Sequence, residues 1–285
     1  MNFAIRYLTE YRYESEVTDN LNALRVKPAT TPTQRVDDFV VRVDPESRLH
    51  QHYDYFGTTV IEFGISRAHD HLSIDVRARV KTTAPEDPPE EAWAALEDPS
   101  YGAAAGEFLL ADGEPDVLAL DELVGLSRGE SPLATVRRLV ELIPDRFEYR
   151  PGVTFVGSTV ADLLETGAGV CQDFAHLALL LLRRHGIAAR YVSGYLWAPG
   201  EDEAESAEVD THAWIEALLP AGREPVWVPA DPTNRTLGGE THVKIGHGRN
   251  YADVPPIKGV FRGSAGARLS ASVRMTRTDA APARA

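Results

Sequence analysis

Apolar and polar residues alternate with a period of two along the first part of the chain. Phe3, Ile5 and Tyr7 share one side, and Tyr11 and Tyr13 continue it. The alternation returns at Phe39, Val41 and Val43, and again at Ile74, Val76, Ala78 and Val80. Period two is the mark of half-buried strands. Turn signals fall between these stretches at Lys27-Pro28, Asp44-Pro45, Phe56-Gly57 and Phe63-Gly64. Residues 1–81 are therefore expected to form a β-sandwich-like domain. The aromatics Tyr53, Tyr55 and Phe56 are read as part of its core.

The pattern then breaks. Pro85, Pro88, Pro89 and Pro99 mark residues 82–130 as a linker. It is expected to carry short helices at Glu90–Leu96, Glu107–Ala111 and Asp116–Val124. From Ser131 the spacing becomes helical: Leu133, Val136, Leu139, Val140 and Ile143 recur every three or four positions. Ser131 can cap this helix, and Pro132 suits its first turn. Phe147–Thr154 reads as extended, and Thr159–Leu164 as a short helix with a capping-box start. A glycine turn, Gly167 and Gly169, leads to an apolar run from Leu177 to Leu182. Arg183, Arg184, His185 and Gly186 then end that helix. Strands follow at Ala188–Trp197, His212–Leu219 and Pro225–Val228, with an acidic hairpin or loop at Glu201–Asp210. Gly239–Phe261 reads as a loop-rich return, Arg268–Arg274 as a last strand, and residues 278–285 as a disordered tail. Helices first and an antiparallel sheet after make residues 131–277 an α+β core.

Composition adds bounds. The 285 residues are 43% hydrophobic and 25% charged, with a net charge of −14. This is ordinary for a globular protein. The negative charge argues against nucleic acid or an anionic membrane as main partner. No apolar run is long enough to span a bilayer, and the N-terminus has no signal-peptide pattern. A cytoplasmic location is expected. The single cysteine forbids an intramolecular disulfide.

That cysteine, Cys171, falls at the start of the apolar helix. A helix N-terminus favours an anion and so a thiolate. Alone, a single cysteine reads as a small buried hydrophobe. Downstream, however, His212 opens a strand and Asp231 closes another. A nucleophilic thiol needs a base, and the base needs a group that fixes its tautomer. Cys171, His212 and Asp231 can fill those three roles. His176 points away from Cys171 around the helix and reads as structural. Asp173 reads as a first-turn carboxylate matched to the helix dipole. His212 with His242 and His247 is the one histidine set to weigh for zinc, and its spacing matches no familiar motif. The acidic run before His212 is read as a solvated loop.

The segments GAGVCQDFAHL, THAWIE and WVPADPTN resemble the transglutaminase-like superfamily of papain-related cysteine enzymes. LNALRVKP and HYDYFGT resemble the N-terminal domain of its bacterial branch. The resemblance implies a papain/transglutaminase-like core, with Cys171 as nucleophile, His212 as general base and acid, and Asp231 orienting His212. It implies a thioester route on a peptide or protein amide, with no cofactor and no metal. Water as acceptor gives a protease or amidase; an amine gives a transglutaminase. Rival readings are a non-enzymatic binding module on the same fold and a zinc hydrolase.

Overall fold

The computed structural model describes residues 1–110, 118–155, 157–198, 206–209, 211–264 and 266–278. The chain begins with five strands: β1 (Asn2–Leu24), β2 (Gln34–Asp44), β3 (His50–Tyr53), β4 (Thr59–Ile65) and β5 (His69–Thr82). Helices α1 (Pro99–Ala105), α2 (Leu118–Ser127) and α3 (Pro132–Arg146) follow. Then come β6 (Glu148–Tyr149), α4 (Val160–Thr166), β7 (Ala168–Gly169) and α5 (Cys171–Arg184). The rest is strand: β8 (Ala189–Leu196), β9 (Ser206–Val209), β10 (Thr211–Leu219), β11 (Val226–Asp231), β12 (Thr236–Leu237), β13 (His242–Gly248), β14 (Ile257–Arg262) and β15 (Ala267–Arg277).

The N-terminal sheet is built on β1, which is 23 residues long. Its first half pairs antiparallel with β5 on one side and β15 on the other. Its second half pairs with β4 and β14. The change falls near Asp19, which has φ 47. The alternation read from the sequence is the burial pattern: Phe3, Ile5 and Tyr7 are buried, as are Ile74, Val76, Ala78 and Val80. Tyr53 and Tyr55 correct the core reading, because they are 68% and 82% exposed. Tyr53 ends β3, whose four residues are all exposed, and Tyr55 lies in the hairpin turn that follows. Phe56 alone turns in, 6.0 Å from the Phe108 ring and 6.1 Å from His247.

The second sheet has the order β12-β11-β10-β8-β13. Ala189, Tyr191, Ala213, Ile215, Ala217 and Leu219 pack in one core with α3 and α5. Tyr195, Trp197, Val243 and Ile245 instead join the core of the N-terminal sheet. One sheet is thus covered partly by helices and partly by the other sheet. The fold is α+β, a β-sandwich-like N-terminal region on a core of helices packed against an antiparallel sheet.

Two features of the chain lay beyond its local pattern. Gly239–Phe261, expected as a loop-rich return, contains β13 and all but the last residue of β14. Gly246 and Gly248 there look like turn residues. Gly246 is instead a close approach: a Cβ would meet the Thr58 side chain at 2.4 Å. Glycine inside a strand can mark such an approach. Second, the sequence groups residues 257–277 with the core, yet hydrogen bonding joins β14 and β15 to β1. Of the acidic stretch Glu201–Asp210, residues 206–209 form β9, which pairs with β15; the rest lies outside the described residues. Ala111, Asp116 and Val117 of the expected linker helices, and all but Thr278 of the expected disordered tail, also lie outside them. The described part of that linker holds α1, α2 and two single-turn helices at Trp93–Glu97 and Gly106–Leu109.

The two regions are tied by polar contacts as well. The Gln34 amide donates to the Lys244 carbonyl at 2.7 Å and accepts its N–H at 2.8 Å. Ala29 N–H donates to the same carbonyl at 2.8 Å. Thr82 Oγ1 donates to the Glu240 carbonyl at 2.7 Å.

Candidate active site

The start of α5 is fixed by sequence-local chemistry. Helix α4 begins with a capping box, in which the Thr159 and Asp162 side chains bond each other's N–H groups. It ends at Gly167, whose φ of 67 is left-handed. Glu148 and Tyr149 pair in parallel with Ala168 and Gly169, which aims the chain into α5. Asp173 then closes the turn: its Oδ2 accepts the Val170 N–H at 2.8 Å and the Thr154 hydroxyl at 2.6 Å. A Cβ on Gly169 would meet that oxygen at 2.8 Å, so the turn requires glycine. Asp173 lies in the first turn of α5, where the sequence places it. Cys171 becomes the first residue of the helix and stays partly accessible. The Asp173 N–H already donates to the Val170 carbonyl at 3.0 Å, which leaves the Cys171 and Gln172 N–H groups, with no carbonyl one turn back, to face an anion. The rest of α5 is anchored by Leu177, Leu179, Leu180, Leu181 and Leu182, all buried. Each such burial contributes about 1.5–3 kcal/mol.

His212 is the second residue of β10, and Asp231 is the last of β11. These strands are neighbours, and the His212 Nε2–H donates to Asp231 Oδ2 at 2.8 Å. Asp231 is fully buried. Burial alone would raise its pKa. The His212, His242 and Asn234 hydrogen bonds and the His212 charge outweigh it and hold the carboxyl well below its usual range. Burial would likewise lower the His212 pKa. The Asp231 hydrogen bond, helped by the Cys171 thiol, reverses this and raises it to about 9. Cys171 therefore stands against the ring, and Asp231 holds its Nε2. The three residues singled out from the sequence meet in one place.

The structure adds two partners the sequence reading left out. Asn234 Nδ2 donates to Asp231 Oδ2 at 2.7 Å, and the Thr233 and Asn234 N–H groups donate to Oδ1 at 2.9 and 3.2 Å. The Asp-Pro-Thr-Asn turn carries a signal for this, because Asp side chains bond backbone a few residues on. His242 is the other: its Nε2 lies 3.1 Å from the same Oδ2, in a buried setting. Nothing local points to it, since β13 reaches Asp231 only through the sheet.

His212, Asp231 and His242 thus offer three metal-ligating atoms within 4.8 Å of one another. Their chemistry fits hydrogen bonding better than a cation. The Gly239 N–H donates to His242 Nδ1 at 3.3 Å. The neutral ring then carries its proton on Nε2, facing the carboxylate, whereas a metal needs that nitrogen bare. His247 stands elsewhere, 3.1 Å from Arg190. Burial, then the Lys244 and Arg190 charges, pushes its pKa down to about 3. His176 accepts the Tyr251 N–H at 3.2 Å, a structural role.

Tyr191 lies on β8 near the thiol. Burial, then the Cys171 charge, holds its phenol well above its ordinary pKa. A cavity of about 170 Å³ opens beside Thr211, walled by Tyr7 of β1, Tyr251 and Val273 of β15. The N-terminal sheet thus supplies part of the surroundings of Thr211, and this cavity includes none of the three residues. A larger cavity, about 410 Å³, lies among Leu21, Phe63 and Val260 and includes none of the three residues.

Residues 124–232 match the model of the transglutaminase-like superfamily. Residues 3–81 match that of the bacterial transglutaminase-like N-terminal region. An uncharacterized protein of Mycobacterium leprae is 33% identical over 274 residues, which are 94% of this chain and 96% of that protein. The protein-glutamine gamma-glutamyltransferase of Pseudomonas aeruginosa is 26% identical over 188 residues, 61% of this chain but 26% of that protein. Among solved structures, a Cytophaga hutchinsonii protein described as a candidate cysteine protease is similar in fold. It has a TM-score of 0.73 at 24% identity, covering 99% of this chain and 93% of that one.

Proposed function

The chain belongs to the transglutaminase-like superfamily, and from this premise we propose that it is a cysteine enzyme acting on the amide carbonyl of a peptide or protein. Membership supports a cysteine-dependent enzyme. The observation that carries the finer reading is the His212 ring, set between the Cys171 thiol and a buried, ionised Asp231.

In the proposed reaction, the Cys171 proton passes to His212, and the thiolate sulfur attacks the amide carbon. The carbonyl electron pair moves to oxygen, which the first N–H groups of α5 can stabilise. The tetrahedral adduct collapses, the C–N bond breaks, and the imidazolium gives its proton to the leaving amine. A thioester remains. An incoming water or amine loses a proton to His212 as it attacks, and the thiol is restored. Asp231 stays ionised and holds the ring in one tautomer. No step needs a cofactor or metal. Water makes the enzyme a protease or amidase, and an amine makes it a transglutaminase. The Pseudomonas aeruginosa relative supports keeping the second acceptor. We place the reaction in the cytoplasm, in a reducing compartment suited to a thiol.

The test is the pH dependence of Cys171 alkylation by iodoacetamide. The wild type should react readily below pH 7, and His212→Ala should lose that reactivity. Equal profiles in the two proteins would remove the Cys–His pair and favour a non-enzymatic binding module. With the pair established, glutaminyl and peptide amides, with and without a primary amine, identify the acceptor.

A further inference from the structure

Asp231 serves two imidazoles. Its Oδ2 takes the His212 Nε2–H at 2.8 Å, the Asn234 amide at 2.7 Å and the His242 Nε2 at 3.1 Å. The proposed reaction uses only the first. His242 is held for its place: the Gly239 N–H donates to its Nδ1, fixing the Nε2–H tautomer. Its ring lies edge-on to Trp214, with centroids 5.1 Å apart. Trp214 is itself locked, since a Cβ on Gly194 would meet its indole at 2.4 Å. The titratable groups facing this spot are His212 and His242 on Asp231, and Cys171 on His212.

We propose that His242 is a positioning residue that shares the Asp231 oxygen with His212 and so weakens the carboxylate's hold on the base's proton. The inference deepens the Cys–His–Asp reading and rests on it. A donor to a carboxylate stabilises its charge and lowers its appetite for another proton. Three donors on one oxygen divide that charge among them. A general base works best when its own affinity for the proton lies near the working pH. His212 is already raised to about 9. A second imidazole on Oδ2 restrains that rise and lets His212 return its proton to the leaving group. Loss of His242 leaves Asp231 in place, because the Thr233 and Asn234 N–H groups still hold Oδ1. Its charge is then spent on His212 alone.

The sign of the effect separates this role from a scaffolding one. His242→Phe keeps the ring and removes the donor; His242→Gln restores a donor. The readout is the NMR titration of His212 in histidine-labelled full-length protein, assigned by its disappearance in His212→Ala. In His242→Phe the midpoint should rise by about half a unit to one unit, and His242→Gln should bring it back toward wild type. An unchanged midpoint overturns the proposal. So does a fall toward about 6.5, which would mean that His242 only props Asp231 up. Should His242→Phe not fold, the His242→Gln midpoint is compared with that of His242→Asn, whose shorter amide cannot reach Oδ2; equal midpoints overturn the proposal. Alkylation of Cys171 is followed in the same proteins. A shifted His212 midpoint with alkylation indifferent to His212→Ala would sink the enzyme reading and leave the two-imidazole carboxylate standing.

Discussion

At the scale of single residues, the His212–Asp231 pair has consequences that can be measured without a substrate. The folded-state pKa of His212 is raised to about 9, against about 6.5 in an unfolded chain. The folded protein therefore binds this proton more tightly than the unfolded one. The stability gained is full below about pH 6.5 and is lost as pH rises toward 9. Melting temperature should fall across that window in the wild type and fall less in His212→Gln. Asp231→Asn keeps the shape of the side chain and removes its charge. It should slow Cys171 alkylation at pH 6 by roughly tenfold or more, because the imidazolium loses its counter-charge. A buried cluster of three charges acts at the other end of the pH scale. Burial would raise the Glu216 pKa, but Lys244 and Arg190 hold it down to about 2. Lys244 Nζ and Arg190 Nε each lie 2.6 Å from its Oε2. Its contribution is present above about pH 4.5 and is lost as pH falls toward 2.

At the scale of elements, close approaches carry more weight than propensities. Gly194 on β8 is where the Trp214 indole and the Val243 carbonyl converge, with a Cβ meeting the carbonyl oxygen at 2.3 Å. Backbone cannot swing aside, so Gly194→Ala should push β8 from β13 and disturb His242. Urea unfolding should show a loss of about 1–3 kcal/mol, and Cys171 alkylation should slow in step. Helix α3 offers a milder contrast. Ser131 Oγ accepts the Ala134 N–H at 3.0 Å and also bonds Glu90. Ser131→Ala should cost about 1 kcal/mol and leave the alkylation profile unchanged, because the hydroxyl bonds Ala134 and Glu90 and none of the three site residues. The starts of α3 and α4 were legible in local signals. Strand β13 was not, because Gly246 and Gly248 mimic a loop until Thr58 and Asp253 are packed against them.

At the scale of the whole molecule, the two regions form one folding unit. β15 pairs with β1 along Phe3–Tyr13, and β9 pairs with β15. The chain thus leaves the N-terminal sheet at Val209 and enters the second sheet at Thr211, just before His212. The histidine is delivered by the junction of the two sheets. Truncation after residue 255 removes β14 and β15 and leaves both halves of β1 with an open edge. That product should aggregate, and residues 1–81 alone should not fold. The full chain should melt in a single transition by calorimetry; two separated transitions would contradict the shared sheet.

What the sequence alone determined is local: alternating strands at the start, capped helices in the middle, a cysteine opening an apolar helix, and a histidine and an aspartate at strand ends. Those depend on periodicity and caps, which act over a few residues, and on motifs that keep their spacing. Tertiary structure decided the rest. It put Tyr53 and Tyr55 in solvent at a turn, took β14 and β15 into the N-terminal sheet, and brought His242 onto Asp231. The last two turn on pairing between segments apart in the chain. Such pairing is set by which face each strand can bury and by how closely two backbones can approach, and neither is visible until the partners meet.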